Sequence, residues 1–477
     1  MADVTRRAVL QRGVALALAA TVPSTAALAQ NVVTRRSIAT LAANDPIVES
    51  YRTAVTAMQA LPASDPRNWT RQAQLHNNFC PHRNWYFLPW HRAYLVAFER
   101  LCRQLSGNPN FALPYWDWTA NPQLPAFFAS PTWMGQPNPL FNATRSSQTV
   151  TIPPNVAGPA RMSTLLAETS FEVFGSSRPP GQNSTASTWQ RGNGIEGPFE
   201  SGPHDQVHVR ISGDMGTFMS PLDPIFWLHH CNIDRLWDQW NRMEQSNPST
   251  TLWLDFAFNG QFVNPSGASG TTPFNVNVSS LLNINVLGYQ YVSPFLARVA
   301  ASPILAQPID LEQVPQVARL DSVPVAQLNT VLNMPIRLTA PQTQALDRVQ
   351  PITQQQVLDA TQPVQAPGRV VAIIRDVEPP KAGNAEVRVF LNCPYLTPET
   401  SPEDRHYVSS FTFFGVAHTE QHGKPTYLLD LTETVMKLRH AQIDVTDEVN
   451  VQLMPVPIPG VPSASEFKPG SVEVAIF

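Results

Sequence analysis

The chain has 477 residues, a length that predicts two or three domains with an ample hydrophobic core. Charged residues make up 14% of it and the formal net charge is −4, so neither nucleic acid nor an anionic membrane surface is indicated as a partner. The 4 cysteines are too few for a disulfide framework in a chain of this length.

The N-terminus combines three features of an export signal. Arg6 and Arg7 precede a modest apolar run at Gly13–Val22, and the small residues of Ala27–Ala29 are typical of a cleavage site. The pattern resembles a bacterial twin-arginine signal over residues 1–29, which predicts a periplasmic or secreted protein. A retained, structureless tail is the alternative. The apolar run is well short of the roughly 20 residues that cross a bilayer, so no stable membrane insertion is expected.

The first cluster of histidines lies in a stretch rich in aromatic residues. His76, His82 and His91 are spaced H-x5-H-x8-H, and the last of them lies in WYFLPWHRAYLVAFER, where Pro89 indicates the start of a helix. Residues 93–203 contain no histidine, so this group is separate from the next one along the chain. Because these three histidines are confined to one short stretch, they indicate one local site.

The segment Leu222–Gln245 predicts a long buried helix. Asp223 is a good N-cap, and Pro224 suits the first helical position because the N–H that it lacks would be unpaired there. Phe226 and the following apolar residues recur at helical spacing and form a wide stripe. The helix should therefore pack in the interior of the protein.

A second cluster of histidines includes two residues of this helix. His204 and His208 are spaced i, i+4, so they would share one helix face and hold one ion. His229 and His230 lie about 100° apart around the helix axis, so only one of them faces a given point. His230 has Asp234 one turn further on, where a carboxylate would support a ligand imidazole. A core histidine satisfied by Asp234 is the alternative.

Three imidazoles at each of two places indicate a transition metal. Copper, zinc and iron accept such ligands, whereas magnesium and calcium prefer oxygen. The residues alone do not choose among the three metals. Three-ligand sites leave coordination positions open, so a small molecule is expected to bind there.

Specific motifs carry a resemblance over about residues 45–295. They are HNNFCPH and FLPWHRAYLVAFER, PYWDW at Pro114–Trp118, EVFG at Glu172–Gly175, ESGPHDQVH at Glu200–His208, GDMGTFMSPLDPIFWLHHCNIDRLW at Gly213–Trp237, and LGYQY at Leu287–Tyr291. The chain resembles a type 3 copper protein of the tyrosinase, catechol oxidase and polyphenol oxidase family. The resemblance implies two copper ions as cofactor, with copper A held by His76, His82 and His91 and copper B by His204, His208 and His230. His229 and Asp234 would then support the ligands without binding metal.

The resemblance also implies roles for residues around the coppers. Glu200 would order a water and act as a base, although a surface glutamate is the alternative. Asp205 stands where phenol-hydroxylating members often carry asparagine, which weakens the expectation of monophenol hydroxylation. Phe218 or Met219 would lie over copper B as a gate, with Val209 lining the same entrance.

Cys80 lies two residues before His82. Many family members join a cysteine to a histidine of the first site, so the resemblance predicts a thioether between Cys80 and His82. Such a bond would fix the imidazole ring. A free buried thiol is the alternative.

The C-terminal third changes character twice. Residues 301–367 are rich in proline and glutamine and predict an interdomain connector with short helices near Pro324–Asn333 and Thr339–Val349. Six β-branched or aromatic runs then predict a small antiparallel β-sandwich over residues 368–477. They are Arg369–Val377, Ala385–Asn392, His406–Phe414, Thr426–Thr432, Glu448–Val456 and Val472–Phe477.

The expected architecture is α+β and multidomain, with a mainly α-helical dicopper four-helix-bundle core over residues 30–300. Plant polyphenol oxidases resemble this arrangement, with a C-terminal domain that covers the copper site, and here Phe411–Phe414 is the candidate plug. The predicted reaction is oxidation of o-diphenols to o-quinones by O₂, with ortho-hydroxylation of monophenols as an added activity. A haemocyanin-like oxygen-binding protein and a zinc-binding structural protein are the alternatives.

Overall fold

A computed structural model describes residues 32–180, 194–243, 245–292, 309–311, 316–350, 368–415, 423–443 and 445–477. The predicted export signal lies outside these residues. The helices are α1 (Pro46–Ala60), α2 (Trp69–Phe79), α3 (Phe87–Ser106), α4 (Ala126–Ala129), α5 (Pro154–Ala157), α6 (Pro159–Leu166), α7 (Phe171–Phe174), α8 (Asp205–Ile211), α9 (Ile225–Arg242), α10 (Thr251–Leu254), α11 (Ala340–Leu346) and α12 (Thr432–His440). A π-helical turn, Glu200–His204, leads directly into α8.

The strands fall into two groups along the chain. The first group is β1 (Val33–Arg35), β2 (Thr132–Trp133), β3 (Gln136–Pro137), β4 (Ala257–Ser266), β5 (Gly270–Asn277) and β6 (Tyr289–Tyr291). The second group is β7 (Gln316–Leu320), β8 (Ala326–Gln327), β9 (Leu332–Arg337), β10 (Val370–Arg375), β11 (Glu386–Leu391), β12 (Tyr407–Phe411), β13 (Tyr427–Asp430), β14 (Glu448–Val456), β15 (Glu466–Phe467) and β16 (Ser471–Ile476). A helical half is therefore followed by a sheet-rich half, as predicted.

Side-chain caps fix where the long helices begin. The Asp45 carboxylate accepts the Ile47 N–H before α1, and the Asn68 side chain accepts two N–H groups at the start of α2. The Asp223 carboxylate accepts the Ile225 N–H at 3.1 Å, so it caps α9 as the sequence predicts. Helix α9 ends at Arg242, a few residues before the predicted end. Helices α3 and α9 pack through Tyr94 and the other rings of one aromatic core.

A buried polar cluster connects the first and last strands of the helical half to its two long helices. The Asp234 carboxylate of α9 accepts bonds from Arg92 of α3 at 2.5 Å, from Arg35 of β1 at 3.3 Å, and from the hydroxyls of Tyr289 and Tyr291 on β6 at 2.7 and 2.5 Å. Burial alone would raise the pKa of Asp234, but the two arginines lower it below its ordinary value. Strands β1 and β6 pair in parallel, so the two ends of the helical half meet at this carboxylate.

Two four-stranded antiparallel sheets form the C-terminal half, in the orders β13-β10-β16-β7 and β12-β11-β14-β9. Alternate residues of both sheets, including Ile374, Val474, Val389 and Leu453, share one hydrophobic cluster, as the period-two side-chain pattern of strands requires. All six predicted strands are present as β10, β11, β12, β13, β14 and β16.

The description of residues 301–367 as a connector is wrong where the structure describes them. Strand β7 pairs with β16, and strand β9 pairs with β14, so both belong to the C-terminal sheets. Leu332, Met334 and Ile336 alternate toward the core, and this pattern outweighs the proline-rich composition. The helix predicted near Pro324–Asn333 is absent from the described residues there, whereas α11 lies within the other predicted helix.

The two halves share a buried interface. The Arg369 guanidinium holds Glu168 of the helical half in a two-pronged ion pair at 3.1 and 2.7 Å. Beside it, Val173 packs in an apolar cluster on the outer face of the first sheet, with Val371, Ile373, Leu428 and Ala475. Among the described residues, no helix has both the length and the apolar character that a membrane span requires.

Candidate metal centre

The six predicted ligands meet in one buried place as two adjoining triangles. The ring centroids of His76, His82 and His91 are 5.4, 5.4 and 5.5 Å apart. Those of His204, His208 and His230 are 4.6, 5.0 and 5.2 Å apart. The triangles adjoin, because the His91 and His230 rings stack at 4.4 Å and the His82 and His204 rings lie 5.3 Å apart.

Hydrogen bonds at Nδ1 orient five of these rings. The Nδ1–H of His76, His91 and His208 donates to the carbonyl oxygens of Phe218, Phe87 and Met215, at 2.7, 2.8 and 2.8 Å. The Nδ1–H groups of His82 and His204 donate to carboxylates, at 3.1 and 2.8 Å. A neutral imidazole that donates through Nδ1 carries its lone pair on Nε2, so each ring is prepared to bind a cation there.

The chemistry of these donors fits a metal. Nε2 of His91 and of His204 is buried with no hydrogen-bond partner among the described residues. Burial lowers the pKa of His91 to about 3, and burial with the neighbouring His229 charge holds the pKa of His204 well below its ordinary value. These two rings are therefore neutral at physiological pH, which is the form that coordinates transition metals.

His229 also lies beside the second triangle, and its ring centroid is 4.8 Å from that of His208. Its Nδ1 accepts the indole N–H of Trp118 at 3.2 Å. The proton of the neutral His229 ring is then on Nε2, which leaves no lone pair for a metal. These contacts favour His230 as the third ligand, in keeping with the sequence prediction.

The predicted support of His230 by Asp234 is wrong. Asp234 is committed to the arginine and tyrosine cluster of α3, β1 and β6, and Nδ1 of His230 has no hydrogen-bond partner among the described residues. The i, i+4 spacing puts the two residues on one side of α9, but two buried guanidinium groups attract the carboxylate more strongly than a neutral ring does.

Three buried carboxyl groups lie behind the histidines. Glu200 accepts the His82 Nδ1–H at 3.1 Å, the Arg83 N–H at 2.9 Å and the Ser176 hydroxyl. Burial, with the nearby Asp205 charge, raises the pKa of Glu200 to about 8. These contacts place Glu200 as a support for His82. Its role as a base acting through water stays a prediction.

Asp205 accepts the His204 Nδ1–H at 2.8 Å and is hydrogen bonded to the side chain of Glu196. Burial raises the pKa of Asp205 to about 7, while burial and the Asp205 charge raise that of Glu196 well above its ordinary value. The sequence analysis missed Glu196. The only feature of the sequence that pointed to Glu196 is its position four residues before Glu200.

Phe218 lies against the first histidine triangle, whereas the gate was predicted over copper B, so its role as a gate stays a prediction. Its ring stacks on His82 with centroids 5.2 Å apart, whereas Met219 is half-buried beside it. Val209 lines a cleft of about 690 Å³ between the Gly213 loop and the C-terminal half. This cleft also borders Phe413, so it lies beside the predicted plug.

Phe414 reaches the histidines from the C-terminal half. Its ring centroid is 4.3 Å from that of His208, 5.3 Å from those of His82 and Phe218, and 5.6 Å from that of His204. The next residue, Gly415, has φ of +67°, and an added Cβ would lie 2.6 Å from the Phe218 ring. Only glycine fits this turn, which holds Phe414 over the centre.

Cys80 is buried near two of the ligands. Its Sγ and one ring nitrogen each of His76 and His82 lie within 4.8 Å of one another. The thiol is thus close to the ring with which it is predicted to react.

Two adjoining sets of three imidazoles fit a type 3 dicopper centre, which is the class of site that the histidine motifs predict. Comparisons with known proteins agree. The model of the common central domain of tyrosinase matches residues 56–169 and 142–243. A tyrosinase of Hahella sp. (strain CCB-MM4) is 29% identical over 345 residues, covering 58% of this chain and 71% of the relative. The chloroplastic polyphenol oxidase A1 of Vicia faba is 30% identical over 304 residues, covering 55% of this chain and 48% of the relative.

Over residues 56–243 the chain is thus similar to the central domain of tyrosinase, and the relatives that it matches are named as tyrosinase and polyphenol oxidase. It spans about half the length of the plant relatives that it matches. In fold it is similar to the latent apple tyrosinase, with a TM-score of 0.67 and 21% identity, over 94% of this chain and 97% of that one.

Proposed function

We propose that this enzyme oxidises o-diphenols to o-quinones, with O₂ as the electron acceptor and water as the product. One O₂ accepts the electrons of two catechol molecules. The observation that carries the proposal is the pair of adjoining histidine triangles, whose rings are close enough to hold two coppers within reach of one small molecule. We also take the helical half as a four-helix-bundle core and the two sheets with their shared core as a β-sandwich.

Separate groups of residues would bind the metals and hold the ligands in place. His76, His82 and His91 would hold one copper, and His204, His208 and His230 the other. When bound, the copper pair supplies the capacity to bind O₂ and to take electrons from a catechol. Backbone carbonyl groups and carboxylates at Nδ1 keep five of the six rings in place, and the Phe218 ring would restrict the approach to His82, on which it stacks.

Asp205 bears on the choice between diphenols and monophenols. Its carboxyl group is already engaged by His204 and Glu196, so it is poorly placed to take a proton from an incoming phenol. We therefore propose catechol oxidation as the main activity and ortho-hydroxylation of monophenols as a minor one. The named relatives are enzymes, which disfavours a haemocyanin-like carrier without turnover.

Oxygen uptake by the copper-loaded full-length protein tests this function. We expect uptake and quinone formation with catechol and 4-methylcatechol, and a much slower reaction with tyramine. His208→Asn should abolish uptake because it removes a proposed copper ligand, while His440→Asn, which changes a histidine in the C-terminal half, should retain it. Reversible binding of O₂ without quinone release would contradict the proposed function, and stoichiometric zinc in place of copper would contradict the metal.

We further propose that the C-terminal half keeps the enzyme latent and that residues 1–29 direct its export. Phe414 occupies the space next to His208 and His82 where a phenol ring would bind. The ion pair of Arg369 with Glu168 and the apolar cluster around Val173 hold the two halves together. Substrate would then have to displace one aromatic ring in order to bind.

The predicted thioether gives a test by mass. Trypsin should release Gln72–Arg83, which contains both Cys80 and His82. In the mature copper-loaded enzyme we expect this peptide to be lighter by two hydrogen atoms and to resist thiol alkylation, because the sulfur is bonded to the imidazole ring. Cys80→Ser should abolish the mass loss, and Cys102, a buried thiol away from the histidines, should stay alkylatable after unfolding. A peptide of unmodified mass with a reactive Cys80 would rule out the bond.

A further inference from the structure

Glu196 connects the C-terminal half to the metal centre through its backbone. Its N–H donates to the Thr426 carbonyl oxygen at 2.8 Å, and its own carbonyl oxygen accepts the Leu428 N–H at 2.9 Å. Residue 196 is thus paired as a strand with the end of β13. A backbone bond in each direction fixes its position relative to that strand.

The neighbouring chain keeps residue 196 in this register. The Ser177 N–H donates to the Ile195 carbonyl oxygen at 2.9 Å, which fastens the other side of the segment. At Gly197 an added Cβ would lie 2.4 Å from the carbonyl oxygens of both Val173 and Gly175. Only a glycine permits this close approach, so the segment is packed between β13 and the C-terminal end of α7.

The side chain of Glu196 extends the connection to a ligand. It is 3% exposed and hydrogen bonded to Asp205, which is 4% exposed and accepts the His204 Nδ1–H at 2.8 Å. Buried groups without access to water have few alternative partners, so the orientation of each carboxyl group depends on the next. The chain of contacts runs from β13 through Glu196 and Asp205 to the His204 ring.

We infer that Glu196 is a positioning residue that couples docking of the C-terminal sheets to the orientation of the copper ligand His204. The inference rests on the proposed dicopper function. Glu196 does not touch metal or substrate, and it acts by holding the carboxylate that fixes the ring and its tautomer. Outer carboxylates of this kind affect metal affinity about 10- to 100-fold when they are removed.

Copper affinity of the full-length protein, measured by competition with a chelator, tests the inference. Glu196→Ala should weaken retention of one of the two coppers by about 10-fold or more, as expected for loss of an outer support. Glu196→Gln, whose amide still donates to Asp205, should restore most of that affinity. Gln206→Ala is the matched control, because Gln206 is buried beside Asp205 and bonds to Ser410 of the C-terminal half at 2.9 Å without supporting a histidine. It should bind both coppers as the unaltered protein does.

Amide hydrogen exchange provides a second measurement on the unaltered protein, which avoids any variant that fails to fold. Coupling is reciprocal, so copper loading should slow exchange of the Leu428 amide more than that of Val451 in the other sheet. Equal copper affinity in Glu196→Ala and the unaltered protein, or equal effects on the two amides, would overturn the inference. An unaltered protein that does not bind two coppers would instead contradict the proposed function.

Discussion

Replacing Phe414 by alanine in the full-length protein is expected to lower the KM for catechol by roughly 10- to 100-fold while leaving kcat little changed. Burying a phenylalanine side chain stabilises the folded protein by about 1.5–3 kcal/mol. Substrate that displaces the Phe414 ring loses this stabilisation, so its apparent binding free energy is weaker by the same amount. Each 1.4 kcal/mol or so corresponds to a factor of ten in apparent affinity. Steady-state oxygen uptake against catechol concentration measures the change.

Tyr395→Ala is the control for this variant. Tyr395 is an exposed aromatic residue of the same C-terminal half, 54% accessible, and its loss should leave KM unchanged. If Phe414→Ala binds copper normally and keeps the KM of the unaltered protein, Phe414 does not compete with substrate. Latency would then have to come from the rest of the interface or be absent.

Asp234→Ala is expected to lower the free energy of unfolding of the copper-free protein by about 3–5 kcal/mol. Removing the carboxylate leaves Arg35 and Arg92 as buried charges that have lost their shared partner, and breaking a buried pair in this way carries a penalty of that order. Urea denaturation, followed by tryptophan fluorescence, measures the difference.

Arg242→Ala is the matched control on the same helix. Arg242 pairs with Asp238 at the exposed end of α9, where an i, i+4 ion pair contributes less than about 1 kcal/mol. Acid should reduce the deficit of Asp234→Ala. The fold lowers the pKa of Asp234, so its stabilisation is present above the ordinary carboxyl pKa and is lost as pH falls through the lowered value. A deficit no larger than that of Arg242→Ala would show that the cluster is dispensable.

The sequence grouped the six histidines that the structure brings together, because the identity and spacing of these residues are local. Histidine is rare in the first 405 residues and confined to two clusters, and helical caps such as Asp223 gave the register of α9. The strands of the C-terminal half were also predictable, because alternation of buried residues is a local pattern. In Leu332–Arg337 the same alternation was present, but the surrounding prolines and glutamines obscured it.

The contacts around the ligands were not predictable, because other parts of the chain supply them. Spacing alone assigned Asp234 to His230, and only the fold brings Arg35, which lies 199 residues away, to that carboxylate. The role proposed for Glu196 likewise depends on β13, which only the fold places beside it. His204 and His208 share a face as predicted. His204 nevertheless lies in a π-helical turn, which the sequence pattern did not predict.

The cluster around Asp234 has a consequence for biosynthesis. It joins Arg35 to Tyr291, which are 256 residues apart, and both lie at the core of the helical half. Until Tyr291 has left the ribosome, the cluster lacks a hydroxyl that bonds to both Arg35 and Asp234, so the helical half should reach its native state in one late step rather than helix by helix. Copper delivered to a nascent chain before that step would find no finished site, and metal insertion should follow the emergence of Tyr291.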